Sequence, residues 1–229
     1  MNARKYLLYG VLLIGAIGSV IACSKQEDSY ADFIKDGEII YTARVDSLNF
    51  APGRNRARLN WALTADQRIT KVRVFWNDRK DSLTLPIQRS PGIDYMEVLL
   101  SSLAEKVHTF EIKTYDDAGH SSMIVDTIIT VYGDIYQSTL FNRPIKTVTW
   151  KKPSTVIEWS GANAANVRVE GTYIDTFDLP RSFIVPKDST KVTLLALKKG
   201  TSFTYRTAYL PHPKCLDTFF MTNGTWLVP

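Results

Sequence analysis

"RARLNWALTADQRITKVRVFWN", residues 56–77, is the stretch from which the fold can be read. Leu59, Trp61 and Leu63 recur at every second position, and after a polar break Val72, Val74 and Trp76 do the same. Side chains with a period of two share one face of a strand, so both runs predict half-buried β-strands. The pattern then returns. Trp159 precedes Val167-Arg168-Val169 as Trp61 precedes Val72-Arg73-Val74, and Leu197 leads into "SFTYRT" as Leu103 leads into "HTFEIKT". The two sets lie about 95–100 residues apart, which is the length of a domain and predicts two modules rather than a solenoid.

Further strands fill the intervals. "EIIYTARV" (38–45), "DSLTLPI" (81–87), "YMEVLL" (95–100), "HTFEIKTY" (108–115) and "SMIVDTIITVY" (122–132) join the two opening runs. Seven short strands in roughly 100 residues, bounded by Gly, Pro, Asn and Asp, is the count of an immunoglobulin-like sandwich. The expected fold is therefore all-β, with one sandwich over 36–133 and a second over 145–229. Between them, "YGDIYQSTLFNRP" (132–144) predicts a short helical junction over 134–144. Asp134 and Gln137 have capping-box spacing, Tyr136, Leu140 and Arg143 share one helical face, and Pro144 ends the run.

The first 22 residues read as a signal peptide: Arg4 and Lys5 precede an uncharged run from Tyr6 to Ala22. It ends in "VIAC", which resembles the bacterial lipobox. That resemblance implies diacylglycerol on Cys23 and cleavage before it, and several acyl chains at about 0.8 kcal/mol per CH₂ make a lasting anchor. Residues 23–35 then form a polar tether. Its "SKQEDSYADF" is similar to the acidic export signal of Bacteroidetes lipoproteins, which implies an outer-membrane protein facing the exterior, with the periplasmic face as the alternative. The composition, 45% hydrophobic and 22% charged, is that of ordinary globular domains. Loss of Arg4 and Lys5 leaves 26 basic residues against 23 acidic ones, and no run of like charge asks for nucleic acid. With Cys23 consumed, Cys215 is the single remaining thiol, so no internal disulfide is expected.

The tryptophan on the second strand, Val-x-Val on the third, and the later Leu and aromatic strand look like fibronectin type III modules. Where that fold usually keeps a corner tyrosine, this chain has His108 and Phe203, neither expected to reproduce the hydroxyl bond in the usual way. The segments "GEIIYTARVDS", "VRVFWN", "FEIKTYDDAGHSS", "VYGDIYQSTLFNRPI" and "FTYRTAYLPHPKCLDTFF" also resemble an uncharacterised family of Bacteroidetes surface lipoproteins. That resemblance implies a non-enzymatic protein associated with nutrient uptake or adhesion at the cell surface.

No catalytic, metal or cofactor site is expected. The chain holds three histidines and no G-x-S-x-G, H-E-x-x-H, P-loop or dinucleotide fingerprint. "YDDAGHSS" (115–122) reads as hairpin chemistry rather than a calcium loop. "AYLPHPKCLDTFF" (208–220) sets His212, Cys215 and Asp217 close together, yet its prolines predict an open, exposed connection between the last strands of the second sandwich, with Asp217-Thr218 closing the turn. The candidate ligand-binding residues are Trp76, Asn77, Tyr115, His120, His212 and Trp226, which combine aromatic faces with polar neighbours. The expected function is a cell-surface binding module, glycan-associated beside a nutrient-uptake system. The alternative is an adhesion or structural lipoprotein that binds a protein partner.

Overall fold

A computed structural model describes residues 39–228. The expected signal peptide (1–22), the expected tether (23–35) and the expected lipidation at Cys23 lie outside the described residues. The first set of strands comprises β1 (Asp46–Gly53), β2 (Arg56–Leu63), β3 (Lys71–Trp76), β4 (Asp81–Pro86), β5 (Asp94–Leu100), β6 (Val107–Tyr115) and β7 (Val125–Thr130). They form two antiparallel sheets, β1–β2–β5 and β4–β3–β6–β7. A five-residue helix, α1 (Asp134–Ser138), follows. The second set comprises β8 (Ile145–Lys151), β9 (Ser154–Trp159), β10 (Asn166–Ile174), β11 (Pro180–Pro186), β12 (Lys191–Leu195), β13 (Ser202–Tyr209), β14 (Phe219–Phe220) and β15 (Gly224–Leu227).

These also form two sheets, β12–β9–β8 and β11–β10–β13–β14, with β15 on β13 as well. In each half the first, second and fifth strands share one sheet, and the fourth, third, sixth and seventh share the other. The seventh strand of the second half is split into β14 and β15. Two β-sandwiches of one topology therefore stand in tandem, as the duplicated pattern predicts.

The alternation closes both cores. Leu59, Trp61, Val72, Val74, Phe110 and Ile112 meet in the first, and Ile157, Trp159, Val169, Phe183 and Phe203 in the second. Six of the seven expected strands in the first half are present within a few residues. The first is displaced: residues 39–45 carry no strand, and β1 is "DSLNFAPG" instead. Pro52 and Gly53 read as breakers, but β1 is an edge strand whose only ladder partner is β2, and a missing N–H is tolerated there. Asn55, with φ of 51°, turns the chain into β2. Thr42 and Val45 are still buried, and the Thr42 hydroxyl lies 2.7 Å from that of Thr114.

Two local expectations are corrected. His108 is buried, and its Nε2 lies 2.8 Å from the Ala104 carbonyl oxygen. A carbonyl only accepts, so Nε2 donates, and histidine here makes the backward corner bond that the fold usually takes from tyrosine. The cap of α1 is the second. Gly133 occupies the N-cap, and the Glu105 carboxylate, from a loop of the first sandwich, accepts the N–H groups of Ile135 (2.7 Å) and Tyr136 (2.5 Å). Asp134 and Gln137 are thereby released to hold Arg54.

Candidate functional site

The six residues proposed from sequence do not converge. Trp76 follows the parity of Val72 and Val74, so its ring is half-buried against the first core, 6.4 Å from Phe110, rather than standing as a platform. Asn77 is a turn residue with φ of 52° whose amide donates to Asp81. Tyr115 and His120 lie at the opposite end of the same sheet, because Lys71 rather than Trp76 pairs with Tyr115. Five residues of strand separate the two ends, roughly 17 Å. His120 is engaged by Asp116: its Nδ1 donates over 2.7 Å and its backbone N–H over 2.9 Å. Burial pushes the Asp116 carboxyl up, but these bonds outweigh it and hold the group below the usual carboxylate range. Trp226 pairs with Phe203 across β13–β15 and stays exposed at the far end of the second sandwich's sheet from β14. Among the described residues, no group of three or more His, Cys, Asp and Glu could hold a metal ion.

His212 is in a different place from the one expected. The stretch 208–220 is not an outward hairpin but a clasp that joins the two sandwiches. The Leu216 N–H donates to the Pro52 carbonyl (2.7 Å). Asp217 accepts the Arg54 backbone N–H (2.7 Å) and the Arg56 guanidinium through Nε (3.0 Å) and Nη2 (2.5 Å). The Arg54 guanidinium lies 4.6 Å from the Phe219 ring centre, and Gln137 donates to the Phe220 carbonyl (2.7 Å). Tyr132, Tyr136 and Phe219 pack edge to face beneath them, and burial pushes Tyr136 up to about 12. Cys215 packs against this cluster, where burial pushes its thiol up and away from the thiolate form. The His212 ring turns instead onto Phe50, 5.6 Å between centres, and its Nδ1 accepts the Lys214 N–H. Cysteine and histidine therefore serve different neighbours, and no relay links them.

Beside this clasp the outer face of the β1–β2–β5 sheet is open and polar. The register sets Asn49 opposite Asn60 and Asn60 opposite Glu97, so three hydrogen-bonding side chains stand in a row across three strands. Tyr95, 81% exposed, stands beside the row opposite the small Ala62. On the other side Arg58 reaches Glu97 at 3.7 Å. Lys214, from the second sandwich, donates to Asn49 over 2.7 Å. Two shallow grooves of about 370 and 280 Å³ share Asn49 and Asn60 as walls.

A family model described as a domain of unknown function, DUF4998, matches residues 23–219. The chain belongs to this family. No curated protein matches it. Similar solved structures include the two-domain fibronectin type III segment of chicken tenascin, at 12% identity and a TM-score of 0.34, over 81% of this chain and 99% of that one. The FN1–FN3 domains of chicken CNTN1 are similar at 10% identity and a TM-score of 0.39, over 82% of this chain and 67% of that one. The chicken interferon gamma receptor alpha chain is similar at 9% identity and a TM-score of 0.34, over 82% and 99%. At these scores the sandwich assignment rests on the strand orders given above, not on the likenesses.

In this DUF4998 chain the row Asn49–Asn60–Glu97 and Tyr95 escaped sequence reading. Asn60, Glu97 and Tyr95 are the polar half of each strand's alternation, which reads as plain solvent exposure. Only the register shows that they are neighbours. Arg143, expected on one helical face with Tyr136 and Leu140, lies beyond the end of α1 at Ser138; it is a buried arginine whose Nε and Nη1 donate to the carbonyls of Ser160 (2.6 Å) and Ser189 (3.0 Å), tying the junction to the second sandwich.

Proposed function

We propose that this protein is a membrane-tethered, non-enzymatic binding module of the outer membrane that captures polysaccharide at the cell surface. The observation that carries the reading is the row Asn49–Asn60–Glu97 beside the exposed Tyr95 ring. Sugar rings offer an apolar face to an aromatic ring and hydroxyls to amides and carboxylates, and a row spaced by strand pairing, about 4.8 Å, suits an extended chain. The lipobox at Cys23 and the start of the family match at that residue support the anchor.

The test is native gel electrophoresis of the purified full-length protein through neutral polysaccharides such as dextran, xylan and galactomannan. Retardation by at least one of them, abolished by Tyr95→Ala and by Asn60→Ala, is expected; migration unchanged in every gel would sink the glycan reading. A second reading, adhesion to a protein partner, is favoured by one observation: Met123, Ile124 and Ile128 leave an apolar stripe on and beside the edge strand β7.

A further inference from the structure

The other sheet of the first sandwich carries a different surface. On the outward face of β3 stand Lys71, Arg73 and Phe75, and on that of β6 stand Tyr115, Lys113 and Glu111. The register pairs Lys71 with Tyr115, Arg73 with Lys113, and Phe75 with Glu111. Arg73 and Lys113 are therefore directly opposite in the middle of the sheet. Like charges so placed are destabilising, and nothing in the packing of an outward face requires them.

Their surroundings do not neutralise them. Among the described residues, Lys71, Arg73 and Lys113 have no carboxylate within 4.0 Å, whereas Glu111 is already taken by Arg79 at 2.6 Å. Arg73 donates to the Ser82 hydroxyl (2.8 Å). Aromatic rings bracket the cations at both ends. Lys71 and Lys113 lie 5.8 and 5.9 Å from the Tyr115 ring centre, and Arg73 lies 4.8 Å from that of Phe75. The cations sit about 5 Å apart across the strands and about 7 Å apart along them.

We propose that this face binds an acidic polysaccharide, one bearing uronate or sulfate groups. Three uncompensated cations on a flat, regular lattice match anionic groups repeated along an extended chain, and Phe75 and Tyr115 offer ring faces for the sugars between them. Bound carboxylates or sulfates relieve the repulsion between Arg73 and Lys113, which accounts for a pairing that folding alone disfavours. The surface lies on a different sheet from the Asn49–Asn60–Glu97 row and stands or falls separately from it.

The experiment uses the full-length protein in native gels containing polygalacturonate or dextran sulfate, with neutral dextran as reference. Retardation by the acidic polymers, weakening as salt is raised, is expected. The double substitution Arg73→Gln with Lys113→Gln should lower the affinity about tenfold, the sum of two exposed ion pairs. It should also leave the melting temperature unchanged or raise it, because the like-charge pair is gone. Tyr95→Ala should leave this binding intact, which separates it from the neutral-glycan site. An unretarded wild-type protein, or a double variant that binds as well as wild type, overturns the proposal. So does equal retention on oligodeoxythymidylate or on vesicles of anionic phospholipid, either of which would make the surface a general polyanion contact.

Discussion

The Asp217 carboxylate collects three donors from the β1–β2 hairpin, more than 160 positions away in the chain. Burial pushes this carboxyl up, but the bonds from Arg56 and Arg54 outweigh burial and hold it below the ordinary range. A carboxyl whose folded pKa is depressed contributes stability that is present above its unfolded value, about 3.9, and is lost as pH falls through the folded value. Asp217→Asn should therefore cost about 1–2 kcal/mol at neutral pH, after discount for the partly exposed guanidinium. The gap between variant and wild type should close as pH falls below about 4. Chemical denaturation at several pH values reads both; a gap that stays constant down to pH 2 contradicts the account. Gly53 makes the approach possible, since a Cβ there would lie 2.6 Å from Asp217 Oδ2. Sequence reading had Asp217 as a turn closer, because its partners are invisible locally. His108 is the converse case: its position was legible and its hydrogen bond was not, since imidazole reaches back to an upstream carbonyl through a ring nitrogen rather than a hydroxyl.

Strands built on strict alternation were legible almost to the residue, as β2, β3 and β6 show. The failures are elements whose identity depends on a neighbour. β1 is accepted as a strand because β2 offers it an edge, although Pro52, Gly53 and a register shift after Asp46 weaken its pattern. The seventh strand of the second sandwich is interrupted between Phe220 and Gly224, with both pieces held by β13. Within β10, Gly171 marks another dependence on neighbours. It faces inward between Phe183 and Tyr205, and a Cβ there would lie 2.5 Å from the Phe183 ring and closer still to the Thr204 carbonyl oxygen. Gly171→Ala should destabilise the second sandwich by about 1–3 kcal/mol, against the usual gain of replacing a strand glycine. Thermal melts would check this, and an unchanged or higher melting temperature would show that the sheet relaxes around the methyl group.

At the level of the chain, two sandwiches of identical strand order are joined by α1 and clasped by 208–220. The link is a built interface rather than a loose tether: an aromatic cluster lies beneath a charged one, with Glu105 capping α1 from the first sandwich and Arg143 anchoring the junction to the second. The anchoring proposal belongs to this level too. Cys23→Ala should move the protein from the membrane to the soluble fraction of cells without changing the melting temperature of the modules; retention in the membrane fraction would refute attachment through Cys23. Alternation of apolar and polar residues, a property each strand carries locally, was enough to establish an all-β chain, the number of modules, and which tryptophans, Trp61 and Trp159, enter the cores. The clasp and the two outward faces needed the folded chain. Their residues lie up to 165 positions apart or are spaced by register across strands, and a linear pattern holds no record of which polar side chains the sheets bring side by side.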